Sequence, residues 1–348
     1  MKNVFYYIVL VTIFLSCSEQ KDYPNATLWS YEDFPETKEL KGETFELDSI
    51  VLRPYMMAVY DSFLAIEALG EDHLFVVYNL NTRKKVGEHI RQGQGPEEML
   101  APLFVNRTDS VFIFDQMTAN MFMYSKSDFL SENDIVSSQK IKFSVSPLFS
   151  TLGKVSNSYI ASAYRAEALA YKFDSYGKKT GNFGSYPLLP SENFSDLEIV
   201  NVFRGSVTTN GTDRVAVCYN YTDLIDIYDA EGKLIKELYG PEQFYSKFVE
   251  FHEGDIVGSK GTPETFRDAF YVPLGTSEHF YVLYMGNYVR VPDYKFMGKH
   301  VFVFDWEGNP KTHYQLDQGV SYITVDETNR VIYGISDDPE YHLVSFKY

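Results

Sequence analysis

Alternating apolar and polar positions run along most of this chain. Residues 227–241, IYDAEGKLIKELYGP, show the unit: one alternating run ends at Tyr228 and Asp229, a turn ends at Gly232, and a second alternating run follows. Alternation with a period of two is typical of a half-buried β-strand. Asp at a strand end accepts bonds from backbone amides, and Gly supplies the left-handed conformation of the turn. The stretch therefore predicts a tight antiparallel hairpin.

The same unit recurs at regular spacing. Its aromatic landmarks are Tyr78, Tyr124, Phe173, Tyr228, Phe304 and Phe346. Four of the five intervals between them are 42 to 55 residues long, close to the length of a four-stranded propeller blade. The remaining interval is 76 residues long and predicts an insertion within 240–266. Because another alternating run precedes each unit, six pairs of central strands predict six blades.

Composition agrees with an all-β fold. Aromatic residues make up 16% of the chain, with 28 Tyr and 27 Phe, and such side chains suit pleated, half-buried surfaces. The alternative is a β-sandwich that contains a few hairpins by chance. Regular spacing along the chain favours a six-bladed β-propeller of four-stranded antiparallel blades.

The end of the chain predicts how the ring closes. The sixth unit stops at Tyr348 after its third strand, so its blade lacks an outermost strand and would expose unpaired backbone groups. Residues 43–52, ETFELDSIVL, alternate like a strand and precede the first blade. We therefore predict that residues around 44–52 pair antiparallel with the C-terminal run YHLVSFKY and complete the sixth blade.

The first residues predict export. Lys2 precedes an apolar run, Val4 to Leu15, that is too short to span a bilayer, as in a signal peptide. Ser16 followed by Cys17 resembles a bacterial lipobox, which implies cleavage before Cys17 and a lipid on its sulfur. An ordinary signal peptide with an incidental cysteine is the alternative. Several acyl chains together give stable membrane anchoring.

These patterns divide the chain into three parts. We assign residues 1–16 to a lipoprotein signal peptide, 17–42 to the lipidated cysteine and a polar tether outside the fold, and 43–348 to the propeller domain. The second cysteine, Cys218, lies in an alternating run, where a buried thiol that fills core space is expected.

Three stretches resemble the TolB-like six-bladed propeller lipoproteins of Bacteroidetes-type bacteria, which are distantly similar to NHL-repeat propellers. They are RQGQGPEEM at 91–99, FVFDWEGNP at 302–310 and ITVDETNRVIYGISDDPEYHLVSFKY at 323–348. The resemblance implies the architecture and a Gram-negative envelope location, with an anchor in the outer membrane that faces either the periplasm or the exterior. It implies no particular reaction.

The net charge of the chain limits the classes of partner that we expect. A formal net charge of −17 repels phosphate backbones and anionic headgroups, so we expect no nucleic-acid partner and membrane contact only through the lipid. We expect a monomer that binds a glycan, a peptide or an envelope protein. The alternative is that the acidic residues serve only to keep the protein soluble.

Catalytic and metal-binding motifs are absent from the sequence. The seven histidines are at least 13 positions apart, and neither a metal-ligand spacing nor a G-x-S-x-G nucleophile motif occurs. We therefore predict no catalytic residue, metal or cofactor. The alternative, by analogy with lactonase-like six-bladed enzymes, is a calcium-dependent hydrolase acting in the central channel.

Five residues are candidates for binding. Arg91, Glu97 and Glu98 present charge on a constrained loop, which is otherwise a fixed connection between two blades. Arg204 is expected on an innermost strand, where it either meets an anionic ligand or pairs with a carboxylate. Trp306 stacks on a sugar or is simply an exposed aromatic of a turn.

Overall fold

Six radial sheets surround a central axis, and the protein is a six-bladed β-propeller as the repeat predicts. The computed structural model describes residues 22–48, 51, 53–70, 72–105, 110–145, 148–164, 167–189 and 192–348. The predicted signal peptide and Cys17 lie outside these residues. Neither helix of the described chain has the length or the apolar run that crossing a membrane requires.

The first three blades follow three short strands. Those strands are β1 (Thr27–Leu28), β2 (Glu36–Leu40) and β3 (Gly42–Thr44), with a 3-10 turn at Tyr31–Asp33. Blade 1 contains β4 (Pro54–Tyr60), β5 (Phe63–Ala68), β6 (His73–Asn79) and β7 (Lys84–Arg91). Blade 2 contains β8 (Pro102–Phe104), β9 (Ser110–Asp115), β10 (Asn120–Ser125), helix α1 (Lys126–Phe129) and β11 (Gln139–Lys142). Blade 3 contains β12 (Phe149–Val155), β13 (Ser158–Ala163), β14 (Ala170–Asp174) and β15 (Lys179–Phe183).

The last three blades contain the insertion and the closure. Helix α2 (Asp196–Val202) precedes blade 4, which contains β16 (Gly205–Thr209), β17 (Arg214–Tyr219), β18 (Leu224–Asp229) and β19 (Leu234–Tyr239). A separate hairpin follows, with β20 (Phe248–Glu253) and β21 (Ile256–Gly261). Blade 5 contains β22 (Phe270–Gly275), β23 (His279–Tyr284), β24 (Gly298–Asp305) and β25 (Pro310–Val320). Blade 6 contains β26 (Tyr322–Asp326), β27 (Val331–Ser336), β28 (His342–Lys347) and, at its outer edge, β3. The hairpin β20–β21 confirms the insertion predicted within 240–266.

The turn chemistry that defines the repeat is confirmed between the third and fourth strands. In blade 4, Asp229 Oδ1 accepts a bond from the Lys233 amide at 2.8 Å, and Gly232 has φ of +92°. The same turn occurs in blade 3 with Asp174 and Gly177, and in blade 5 with Asp305 and Gly308. A carboxylate that satisfies the turn amides therefore fixes the register of these hairpins.

Side chains between neighbouring blades form the core. Between blades 4 and 5, Cys218 packs in a buried cluster with Phe280, Phe302 and Phe304. Cys218 is 0% exposed, which confirms that it fills core space, and burial raises the pKa of its thiol. Apolar contact of this kind holds the sheets at the spacing of packed β-layers.

Strand β3 closes the ring as predicted. It pairs antiparallel with β28, with Thr44 opposite Val344 and Gly42 opposite Phe346. The Phe45 amide extends the ladder by donating to the Leu343 carbonyl at 2.8 Å. The paired residues begin two positions earlier than the predicted range, and residues 46–48 have already left the sheet.

The predicted tether is wrong for residues 22–42, which belong to the fold. Strand β1 pairs parallel with β19 on blade 4, and β2 pairs parallel with β25 on blade 5, ahead of the β3–β28 pairing on blade 6. We call residues 22–45 the N-terminal strap. Tyr23, Trp29, Phe34 and Leu40 are each at most 7% exposed, so the strap buries large apolar side chains along the outer edges of three blades.

A buried carboxyl lies between blades 1 and 2. Glu67 is 2% exposed on β5, and its Oε2 has no hydrogen-bond partner among the described residues. Burial raises the pKa of this carboxyl to about 8, because an apolar environment disfavours the charged form. Glu67 is therefore mostly protonated in the folded protein at neutral pH.

We expect Trp29→Ala to destabilise the protein by about 3–5 kcal/mol, because it leaves a large cavity among buried aromatic rings. The Trp29 ring lies 5.0 Å from that of Phe302 and 5.2 Å from that of Phe304, measured between centroids. Chemical denaturation checks this, with Tyr176→Ala, at a residue 80% exposed, as the control. Equal stability of the two variants would show that the strap does not support the blades.

We expect the stability of Glu67→Gln relative to the wild type to depend on pH. The carboxyl has a pKa of about 8 when folded against 4.5 for a free side chain, so only the folded state holds the proton between these values. The wild-type free energy of unfolding therefore falls as pH rises through this window, by an amount on the order of a few kcal/mol. Glutamine carries no such proton and should keep its stability.

Denaturation at about pH 5 and about pH 9 measures this difference. The advantage of Glu67→Gln should be small at the lower pH and largest at the higher one. Glu253→Gln, at an exposed position of the inserted hairpin, is the control and should follow the wild type. A constant difference across pH would contradict a buried, protonated Glu67.

Candidate functional site

The central channel holds a cavity of about 580 Å³. The innermost strand of every blade contributes to its wall: β4, β8, β12, β16, β22 and β26. A volume of this size is typical of small-molecule sites. The cavity is therefore the first candidate for a functional site.

Hydroxyl side chains connect the free edges of the innermost strands. Thr151 Oγ1 on β12 accepts a bond from the Val207 amide on β16 at 2.6 Å, and Ser150 Oγ donates to the Gly205 carbonyl at 3.1 Å. These bonds satisfy backbone groups that have no neighbouring strand at the axis. Thr208 also lines the cavity, and its Oγ1 has no hydrogen-bond partner among the described residues.

One end of the cavity is surrounded by aromatic side chains. The innermost strands begin and their partner strands end at this side, so the loops there carry the side chains of the rim. We call this end the channel mouth and define it by Tyr55, Tyr164, Arg204, Tyr221, Phe296 and Tyr341. Four of its rings are half-exposed, at 49% for Tyr55, 41% for Tyr164, 39% for Phe296 and 50% for Tyr341. Aromatic rings left open to solvent around a cavity are typical of a binding site.

A buried acid orders the rim. The Tyr271 hydroxyl donates to Asp268 Oδ1 at 2.8 Å, and Tyr294 donates to the other oxygen. Burial raises the pKa of Asp268, while these two hydrogen bonds act in the opposite direction. The Tyr271 ring then meets the edge of Phe296, with centroids 4.6 Å apart. These contacts fix Phe296 over the opening.

Among the described residues of the channel mouth, the cation is Arg204, which lies directly before β16. Its guanidinium carbon is 5.1 Å from the centroid of the Tyr164 ring and 5.8 Å from that of Tyr221. Nη2 donates to Asn201 Oδ1 at the end of α2, while Nε has no partner among the described residues. Of the two alternatives for Arg204, pairing with a carboxylate is not seen among the described residues, where no acid forms an ion pair with it.

Helix α2 and the insertion position Arg204. Ser195 and Glu198 form a capping box at the start of the helix, which satisfies its first amides. At the other end, Asn201 Nδ2 donates to Ser259 Oγ on β21 at 2.7 Å. The hairpin inserted between blades 4 and 5 thus supports the residue that holds the guanidinium.

The charged loop at 91–99 lies away from the channel. Glu98 folds back onto its own turn and accepts from the Gly95 amide at 2.8 Å, and Glu97 accepts from the Ser137 amide at 3.0 Å. Arg91 is exposed at the end of β7. The structure therefore does not bring these three residues together with Arg204, and the two glutamates fix the connection between blades 1 and 2.

Trp306 is neither an exposed turn aromatic nor a platform for a sugar. It is 4% exposed, and its Nε1 donates to the Thr276 carbonyl at 3.0 Å. Its ring packs 5.2 Å from that of Phe280. The expectation is wrong because the β22–β23 connection of the same blade covers this turn.

Sequence reasoning missed a pair of histidines. His300 Nδ1 and His313 Nε2 are 2.9 Å apart on β24 and β25, beside a cavity of about 480 Å³ under the strap. Burial lowers the pKa of both imidazoles, that of His313 to about 4. His313 lies opposite Phe302 and His300 opposite Gln315, so the two imidazoles meet diagonally across a ladder whose register is shifted. Counting residues outward from the turn does not predict this contact.

Calcium-dependent hydrolysis would need several oxygen ligands around one point. Asp337 supplies a carboxylate to the described cavity wall, and Asn220 supplies an amide. Within the described ranges, no group of three or more His, Cys, Asp or Glu side chains is placed to hold a metal ion. The described wall suits binding through aromatic faces, hydroxyls and the guanidinium of Arg204.

Comparison with solved structures supports the architecture. The chain is similar to a protein of Bacteroides fragilis provisionally named an exported protein, at 12% identity and a TM-score of 0.55, with 92% of this chain and 99% of that one covered. It is also similar to a member of the duf4221 family from Bacteroides vulgatus, at 9% identity and a TM-score of 0.55, with 89% and 96% covered. Such low identity shows a shared fold alone.

The sequence itself identifies the family. No curated protein matches the chain. The family model described as TolB-like 6-blade propeller-like matches residues 33–328, which includes part of the strap and all but the last two strands of the ring. The chain therefore belongs to the TolB-like six-bladed propeller family.

Proposed function

We propose that this protein is a lipid-anchored binding propeller of the cell envelope, which takes a small ligand into the mouth of its central channel. The observation that carries the proposal is the cavity of about 580 Å³ whose rim has four half-exposed aromatic rings around Arg204. A purely structural channel would gain stability by burying those rings. The ligand belongs to one of three classes: a glycan, a peptide or a segment of an envelope protein.

The anchor is proposed from the N-terminal sequence. A short apolar run ending in Ser16 and Cys17 supports lipidation, and the provisional name of the B. fragilis relative supports export. Since the strap is already buried at Tyr23, six residue steps separate it from Cys17, which is about 20 Å of extended chain at most. A lipid on Cys17 would thus hold the propeller close to the membrane surface.

We expect Cys17→Ala to release the protein from membranes when it is expressed in a Gram-negative host. The variant lacks the sulfur that would accept the lipid, so it should appear in the soluble fraction without an acyl mass increment. Cys218→Ala is the matched control, because Cys218 is buried and should not affect fractionation. A Cys17→Ala protein that still sediments with membranes, beside a wild type of unmodified mass, would refute the anchor.

We expect the double variant Tyr164→Ala, Tyr341→Ala to weaken ligand binding by roughly tenfold, because each exposed ring supplies contact area worth about 0.5–1.5 kcal/mol. Titration calorimetry with a panel of monosaccharides, disaccharides and dipeptides provides the measurement. Both residues are half-exposed, so the variant should fold, and Tyr176→Ala is the control outside the cavity. Failure of the wild type to bind any compound of the panel would contradict the proposed function.

A further inference from the structure

We infer that the channel mouth selects a saccharide that carries a single carboxylate, and that this carboxylate docks on Arg204. The inference rests on the proposed function of the channel and adds the chemical class of the ligand. It follows from three features: the unpaired guanidinium, the balance of charge around it, and the mixture of rings and hydroxyls in the cavity wall.

Within the part of the chain that the structure describes, the Arg204 guanidinium is held in place but not neutralised. Two tyrosine rings flank it at 5.1 and 5.8 Å, and Asn201 accepts one of its five N–H donors. Neither ring nor amide carries a formal charge. A buried Nε–H without an acceptor costs free energy, which an incoming anion would recover through charge-assisted hydrogen bonds. The site is therefore preorganised for an anion.

The balance of charge favours a monoanion. One guanidinium neutralises one carboxylate, whereas a phosphate monoester carries about −1.5 to −2 at neutral pH and would leave excess negative charge in a mostly apolar cavity. The whole chain adds a field from its net charge of −17. Salt screens that field over a distance of about 8 Å. The attraction of Arg204 therefore exceeds the repulsion from the acidic chain only close to the guanidinium, and only for a ligand of small negative charge.

The carboxylate of Asp337 does not take the place of the ligand carboxylate on Arg204. It lies in the cavity wall after β27 on blade 6, with blade 5 between it and Arg204 on blade 4. Asp337 is exposed to solvent, and no ion pair among the described residues joins it to Arg204. It leaves the guanidinium available and further disfavours a ligand with two negative charges.

Apart from Arg204, the described cavity wall suits the ring of a sugar. Half-exposed rings of Tyr55, Tyr164 and Tyr341 offer flat apolar faces, as the C–H faces of a pyranose require. Deeper in the channel, the hydroxyl-bearing residues Ser150, Thr151 and Thr208 add polar groups to the described wall. A peptide that binds by strand addition would need an accessible strand edge, and side-chain hydroxyls already bridge the edges of β12 and β16.

The test compares sugars that differ only at carbon 6. Glucuronate, galacturonate and mannuronate are titrated against the wild type beside glucose, galactose, mannose and the three hexose 6-phosphates. We expect at least one hexuronate to bind roughly tenfold or more tightly than its matched hexose and its phosphate, from the charge-assisted bonds to Arg204. This preference is measured on the unmodified protein and needs no variant to fold.

Variants then assign the preference to one side chain. Arg204→Gln should abolish the difference between hexuronate and hexose, and Arg204→Lys should retain part of it, because the charge remains without the planar fork. Arg290→Gln, at an exposed position outside the cavity, is the matched control and should bind as the wild type does. Thermal unfolding of each variant confirms that it is folded.

Each contrary result points to one claim. Hexoses bound as tightly as hexuronates, or phosphates bound more tightly, would overturn the carboxylate specificity while the channel remained a binding site. Dipeptides bound in place of every sugar would overturn the ligand class alone. Failure of every sugar and every dipeptide to bind would overturn the proposed function itself.

Discussion

The pairing of β3 with β28 is the constraint on which the rest of the structure depends. Residues near the two ends of the described chain meet in one sheet, with Glu43 opposite Ser345. Without this pairing, blade 6 would have an open outer edge and the ring could separate between its last and first blades. Closure places six innermost strands around one axis, so the channel and its mouth exist only in the closed ring.

The strap pairs with three blades, so ring closure depends on contacts with blades 4, 5 and 6 and not on blade 6 alone. Parallel pairing of β1 with β19 and of β2 with β25 adds a fifth strand to blades 4 and 5 before β3 enters blade 6. Contacts between residues this distant in sequence cost loop-closure entropy, and they tie early and late parts of the chain into one cooperative unit. Buried aromatic rings such as Trp29 provide the compensating stabilisation.

The periodic part of the architecture could be predicted from the sequence. Asp and Gly at fixed offsets, as at Asp229 and Gly232, specify the turns, and their spacing specifies the blades. Closure could be predicted because a missing strand at one end matched an extra alternating run at the other. The extent of pairing within that run could not be predicted, because alternation continues beyond Phe45 while the ladder to β28 ends there.

Features that depend on contacts between blades could not be predicted in this way. The strap has apolar residues at irregular spacing, because each fills a separate site on a different blade, and it therefore reads as a polar linker. Trp306 occupies a turn position that is usually exposed, yet a neighbouring connection covers it. Arg204 was predicted as a candidate, but the rings that flank it, Tyr164 and Tyr221, were not. They lie at the ends of strands, where the alternating pattern does not predict which side chains face the channel.

The central claim is that the closed ring presents a preorganised cation to a ligand in its channel. A crystal structure of the protein soaked with a hexuronate that binds in solution tests this claim most directly. We expect sugar density at the channel mouth, with the carboxylate within hydrogen-bond distance of Arg204 and a ring of the rim against the sugar face. Density for the sugar elsewhere on the protein, with Arg204 uncontacted, would contradict it.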